Sequence, residues 1–185
     1  MKLDLITNKA DKLKNGINLN DEFYTPPYAI YPIIKYLKPK STIWCPFDTE
    51  ISFFVKILKQ EGFNVISSHI SNNQSFFDME IPKNVDYIIS NPPYSLKYEV
   101  FLKLFDLKIP FAMLVGVVGL FESKNRFSMF SENQFEIMYF DKRISYFKDY
   151  NDIKPSLNPP FSSVYLCSGV LNDKIIFKKI EKQKF

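Results

Sequence analysis

The stretch Val85-Asp86-Tyr87-Ile88-Ile89-Ser90-Asn91-Pro92-Pro93-Tyr94 constrains this chain more than any other. The apolar run between Asp86 and Ser90 reads as a buried strand. Two consecutive prolines cannot donate to a sheet ladder, so the strand ends at them. Pro93 also keeps Pro92 out of helical space. The result is a rigid turn at the carboxyl end of a strand, where open α/β sheets carry their chemistry.

The atoms of that turn define what it can do. The Asn91 side-chain carbonyl and the Pro92 backbone carbonyl both accept hydrogen bonds, and side by side they suit a planar amino group with two N–H donors. Tyr94 offers a flat face on which a heterocycle can stack. An amine whose two protons are held this way has its lone pair drawn out of conjugation and becomes nucleophilic. A plain turn is the competing reading, because Asn and Pro are turn formers. The apolar strand directly before the turn favours the chemical reading. A second copy, Asn158-Pro159-Pro160-Phe161, follows a polar stretch and precedes a strand, so it reads as a loop.

Asn91-Pro92-Pro93-Tyr94 resembles motif IV of the S-adenosylmethionine-dependent amino-methyltransferases. Members of that group methylate adenine N6, guanine N2 in RNA, or a glutamine side-chain amide. Phe23-Tyr24-Thr25-Pro26 resembles motif X of the adenine-N6 enzymes, which contacts the methionine end of the cofactor. Phe76-Phe77-Asp78 resembles motif III, where an acid and an aromatic cradle the cofactor's adenine; an ordinary loop is the alternative for Asp78. In the resembled family the turn after the first strand reads Asp-Pro-Phe-x-Gly-x-Gly. Here Pro46-Phe47 matches, Cys45 stands at the acid, and Thr49 and Ile51 stand at the glycines. Asp48 and Glu50 are the candidate substitute acids. Ser68-His69 replaces the acid that holds the ribose after the second strand, and His69 reads as a loop histidine.

Residues 1–20 form a charged, Asn-rich arm, and 21–185 are expected to make one domain. Thr25 is the expected N-cap, with Pro26 at the first helical position, of a helix from Tyr28 to Leu37. A first strand and its turn over Ser41 to Phe47, a helix from Glu50 to Glu61 and a strand from Phe63 to Ser67 make a βαβ start. Beyond the central turn, helices are expected over Ser95 to Leu107 and Leu120 to Phe130. Strands are expected over Phe111 to Val118 and Phe135 to Phe140. Ser162 to Ser168 and Lys174 to Ile180 read as a pair across the Leu171-Asn172-Asp173 turn. Between the last helix and this pair, Asp141 to Phe161 interleaves Arg143, Lys148 and Lys154 with Tyr146, Phe147 and Tyr150. That pattern suits phosphates and unstacked bases, and equally a β-hairpin extension with a solvated face. Lys124 and Arg126 are further candidate substrate contacts.

At 185 residues, with 46% hydrophobic and 17% aromatic residues, the chain suits one well-filled core and excludes a disordered chain. A net charge of +4 is compatible with nucleic acid without being diagnostic. Two cysteines and one histidine point to no metal site and no disulfide framework, and the chain reads as a cytoplasmic protein with neither signal peptide nor membrane span. The resemblance implies a Rossmann-like class I methyltransferase fold of the α/β class: a mostly parallel seven-stranded sheet with an antiparallel C-terminal strand pair. It implies S-adenosylmethionine as cofactor and adenine N6 in DNA as target, most like small phage-type enzymes. It assigns catalysis to Asn91, Pro92, Pro93 and Tyr94. Cofactor contacts fall to Phe23, Tyr24, Thr25, Pro26, Pro46, Phe47, Asp48 and Asp78; substrate contacts fall to Tyr94, Lys124, Arg126, Arg143 and Lys148. RNA adenine is a close variant, and a catalytically inactive subunit that binds nucleic acid or a protein partner is the reading from another class. Sequence choice would come from Asp141 to Phe161, from a second subunit in a homodimer, or be weak.

Overall fold

The computed structural model of the protein describes residues 23–182, so the arm expected over 1–20 lies outside the described residues. Seven strands form one sheet in the order β2-β1-β3-β4-β6-β5-β7. They are β1 (Thr42–Cys45), β2 (Asn64–Ser67), β3 (Tyr87–Ser90), β4 (Phe111–Gly116), β5 (Glu136–Phe140), β6 (Ser163–Ser168) and β7 (Ile175–Lys178). The helices are α1 (Pro27–Ile34), α2 (Phe53–Gln60), α3 (Lys97–Leu107) and α4 (Lys124–Ser131).

Period-two alternation along the strands divides the core into two layers. Ile43, Cys45, Tyr87, Ile89, Ala112, Leu114, Tyr165 and Cys167 face one side, together with α1 and α2. Trp44, Ile88, Phe111, Met113, Val115, Val164 and Leu166 face the other, against α3 and α4. β3 and β4 are buried along their whole length, which is why their sequences read as continuous apolar runs rather than alternating ones. β1 pairs in parallel with both β2 and β3, so the winding of the chain reverses at β1. Open α/β sheets bind ligands at the carboxyl ends of the strands flanking such a reversal.

The helix after Thr25 opens on Pro27 rather than Pro26 and ends at Ile34 rather than Leu37. Pro27 is in the first turn, Pro26 occupies the cap position, and no side chain caps the helix. A Thr-Pro-Pro sequence cannot announce which proline opens the helix, since either is tolerated there. α2 begins at Phe53 rather than near Glu50, because the Ser52 hydroxyl accepts from the Val55 N–H at 3.2 Å and sets the start. α4 begins at Lys124, capped by Ser123, whose hydroxyl accepts from the Arg126 N–H at 3.2 Å.

The antiparallel end of the sheet also differs in pairing. β6 runs antiparallel to β4 and β5, so β5 and β6 are the antiparallel pair. β7 does not fold back on β6; it lies parallel to β5 at the far edge. The Glu136 carboxylate at the start of β5 explains the detour. It accepts from the backbone N–H groups of Gly169 at 3.0 Å and of Val170 and Leu171 at 3.2 Å. Those three bonds carry the chain over the end of β5 before β7 begins. Glu136→Ala leaves these donors without their acceptor, and the expected cost is about 3 kcal/mol, read as a lower urea midpoint with an unchanged slope.

Candidate active site

A cavity of about 370 Å³ opens at the carboxyl ends of β1 and β3. That is inside the range of roughly 300–1,000 Å³ typical of small-molecule sites. Four chain segments wall it: Phe23 to Thr25, the turn after β1 from Pro46 to Ser52, the stretch from His69 to Phe77, and the turn after β3 with Asn91, Pro93 and Leu96. A fifth segment, Asp149 to Asn151, reaches over from the connection between β5 and β6.

Asn91 is held by one half of its carboxamide. Its Nδ2 donates to the Phe23 carbonyl at 2.6 Å, while Oδ1 is buried with no hydrogen-bond partner. Buried polar atoms are rarely left unpaired, and each such atom asks for an explanation. The Thr25 hydroxyl is the second: the residue is 1% exposed, it lines the cavity, and its Oγ1 has no partner. The side chain expected to cap a helix is instead left as an orphan in the cavity wall. The segment that carries Thr25 and the Phe23 carbonyl is fixed by a two-way bridge, Tyr24 N–H to Phe147 carbonyl at 3.3 Å and Phe147 N–H to Tyr24 carbonyl at 2.9 Å.

Asp48 is the buried acid of the cavity, 5% exposed. Burial pushes its carboxyl from an ordinary value of 3.8 up to about 6, and hydrogen bonds from the Ser90 and Ser52 hydroxyls offset only part of that. Glu50, the other candidate acid, points to solvent and is engaged by Lys59 at 2.5 Å and the Ser67 hydroxyl at 2.6 Å. The turn between Cys45 and Ser52 contains no residue with positive φ. It therefore runs without glycine and without strain, and the Thr49 and Ile51 side chains form part of the wall.

Phe76 and Phe77 enter the cavity because the Lys103 ammonium donates to their carbonyls at 2.7 and 3.1 Å. Asp78, the acid of that motif, is exposed and stands outside the lining. His69 caps a short 3-10 turn, with its Nδ1 accepting from the Ser71 N–H at 3.2 Å, and it also lines the cavity.

Tyr94 stands beside the cavity rather than in its wall. Its hydroxyl lies 3.0 Å from that of Tyr146, which donates to Ser163 at 2.8 Å. Burial raises Tyr146 to about 12, so it stays protonated as a link in this chain. Phe23 stacks on Tyr94 with ring centroids 5.0 Å apart and planes 20° apart. Phe161, from the second Asn-Pro-Pro sequence, meets Tyr94 edge-on at 5.5 Å. That sequence is a loop, as expected, and its prolines deliver Phe161 to the site. Gly116 makes room for it, since a Cβ there would lie 2.7 Å from the Phe161 ring.

The structure thus brings Phe23, Tyr24, Thr25, Pro46, Phe47, Asp48, Asn91 and Pro93 to one cavity. Pro26 caps α1 and Pro92 is buried behind the turn. Lys124, Arg143 and Lys148 are exposed outside the cavity, and Arg126 is half-buried with an unpartnered Nε. The aromatics of the 141–161 connection face inward: Tyr146 and Phe147 are 0% and 2% exposed and belong to the core. Sequence reasoning passed over Ser52, Ser90, Tyr146 as a polar link, and Phe161. Only Phe161 carried a signal, the Pro-Pro pair before a strand. No helix among the described residues is long and apolar enough to cross a membrane, and among them no three His, Cys, Asp or Glu side chains are grouped to hold a metal ion.

No protein-family model and no curated protein matches the sequence. Among solved structures the chain is similar to one from Vibrio vulnificus described as a modification subunit of a type I restriction enzyme, with a TM-score of 0.57 and 11% identity. The likeness covers 98% of this chain and 52% of that one, so the protein spans about half the length of its structural neighbour. What this likeness and the sheet order show is the fold: a Rossmann-like class I methyltransferase fold, with a mostly parallel seven-stranded sheet in which β5 and β6 form the antiparallel pair.

Proposed function

We propose that the protein is an S-adenosylmethionine-dependent methyltransferase acting on the exocyclic N6 of adenine in DNA. The observation that carries this reading is the orphaned Asn91 Oδ1, fixed at the cavity by the Nδ2 bond to Phe23 and directly followed by Pro92-Pro93-Tyr94. The modification-subunit neighbour adds support for DNA as the substrate.

The donor set suits the cofactor. Asp48 offers a buried negative charge to a cation, the Thr25 hydroxyl offers an unused donor and acceptor, and Phe76 and Phe77 offer an apolar wall. When bound, S-adenosylmethionine supplies a sulfonium methyl carbon that a nitrogen lone pair can take, with sulfur leaving as a neutral thioether. The chain's own residues prepare that lone pair. Asn91 Oδ1 and the Pro92 carbonyl accept the two amino protons, and Tyr94 fixes the ring plane. One of those protons is then released to solvent. Positioning supplies most of the rate. The target base must leave its stack, at a cost of a few kcal/mol. Exposed Lys124, Arg143 and Lys148, with Arg126, would take phosphates.

Thr49 and Ile51 in the cavity wall favour the second reading, a methyltransferase fold that binds a partner without the cofactor. Calorimetric titration with S-adenosylmethionine and S-adenosylhomocysteine separates the two: saturable binding supports the enzyme, and no binding supports the partner module. Thr25→Val removes the orphaned hydroxyl. It is expected to lower cofactor affinity about tenfold while leaving the ligand-free protein as stable or about 1 kcal/mol more stable. An unchanged affinity would remove Thr25 from the cofactor site.

A further inference from the structure

We propose that the ring of Phe23 occupies the place of the target base on Tyr94, and that a planar heterocycle enters the site by exchanging with it. The inference rests on the methyltransferase reading and adds the class of ring the slot accepts and the way in. Phe23 lies on Tyr94 at 5.0 Å with planes 20° apart, the arrangement of an offset stack. Phe161 and Tyr146 meet Phe23 edge-on at 6.0 and 5.3 Å and complete a ring-shaped enclosure. The open cavity is walled by Phe23, Asn91 and Pro93 but by neither Tyr94 nor Phe161. The open cavity therefore reaches the Asn91 and Pro93 segment, and the space over Tyr94 is filled by a side chain of this protein.

The acceptor agrees with this. Asn91 Oδ1 has no partner and is shielded from solvent, so in this conformation no amine reaches it. The backbone that follows the Phe23 side chain is already placed: Tyr24 is bridged to Phe147, and the Phe23 carbonyl holds Asn91 Nδ2. In the proposed exchange the Phe23 side chain turns off the face of Tyr94 while this backbone stays in place. Ring-on-ring stacking by Phe23 and by a base are interactions of similar strength, so the incoming base replaces what the leaving ring gives up. A side-chain amide has no ring to make that replacement, and the slot accordingly selects a heterocycle.

The test is calorimetric titration of adenosine into the full-length wild type and into Phe23→Ala, each saturated with S-adenosylhomocysteine or, if that does not bind, without it. The vacated slot is expected to raise adenosine affinity about tenfold in Phe23→Ala, with no gain for acetyl-glutamine-amide. Phe23→Leu, which keeps apolar volume without a flat face, serves if the alanine variant does not fold, and should gain less. Equal adenosine affinity in wild type and variant overturns the exchange. A gain for the glutamine amide instead of adenosine overturns the heterocycle. A gain for adenosine in a protein whose wild type methylates no nucleic acid refutes the proposed function and leaves the slot standing.

Discussion

Asn91→Ala lowers methyl transfer by roughly a thousandfold or more and leaves cofactor affinity nearly unchanged. The acceptor it removes has no partner within the protein, and in the proposed mechanism it meets the substrate amine. Stability falls by only about 1 kcal/mol, because the single bond lost is that from Nδ2 to the Phe23 carbonyl. Asn91→Asp separates the two halves of the side chain. It keeps an acceptor but sets a second oxygen against the Phe23 carbonyl, where Nδ2 now lies at 2.6 Å. Partial activity with a weakened Phe23 segment is the expected outcome. Single-turnover rates with saturating cofactor check both variants, and full activity in Asn91→Ala would contradict the mechanism.

Asp48→Asn has opposite effects on stability and on binding. The folded carboxyl titrates near 6 against an ordinary 3.8, so the folded state holds the proton more tightly than the unfolded chain. Stability contributed by that proton is full below the unfolded value and is lost as pH rises through about 6. At neutral pH the buried charge therefore costs the ligand-free protein about 3 kcal/mol. Asp48→Asn is expected to recover most of that, raising the melting temperature at pH 7 and converging with the wild type near pH 4. The same change removes the buried charge a cationic ligand would meet, so affinity for S-adenosylmethionine should fall by well over tenfold. In the wild type, affinity should weaken as pH falls below about 6, where Asp48 takes up its proton. Equal melting temperatures of variant and wild type at pH 7 would show that Asp48 is solvated rather than desolvated.

The sequence made some of this legible and hid the rest for physical reasons. β3 and its turn could be read because a fully buried strand is apolar throughout and a Pro-Pro pair ends it without ambiguity. The βαβ start could be read because its period changes from two to that of a helix, although the Ser52 cap that sets the start of α2 gave no signal. Which proline opened α1 could not be read, and so the Thr25 hydroxyl was assigned to a cap instead of the cavity. β7 went to the wrong neighbour in the sequence reading because the Glu136 carboxylate that redirects the chain lies over thirty residues away. Tyr146 and Phe147 looked like parts of a basic–aromatic binding surface, and only the bridge to Tyr24 shows that they face the core. Asp48 was recognised as an acid near the right turn, while its burial, which gives it leverage on a cation, follows from Ser90 and Ser52 closing over it. Asp78 matched its motif by letter and still stands outside the cavity, because Lys103 anchors the backbone of the two phenylalanines before it.

The most direct test of the central claim is nucleoside mass spectrometry of a randomised DNA oligonucleotide pool, single- and double-stranded, after incubation with the protein and S-adenosylmethionine. The account predicts N6-methyladenine that depends on Asn91 and is absent with Asn91→Ala. Cofactor binding without any methylated base, in DNA or in a matching RNA pool, would contradict it.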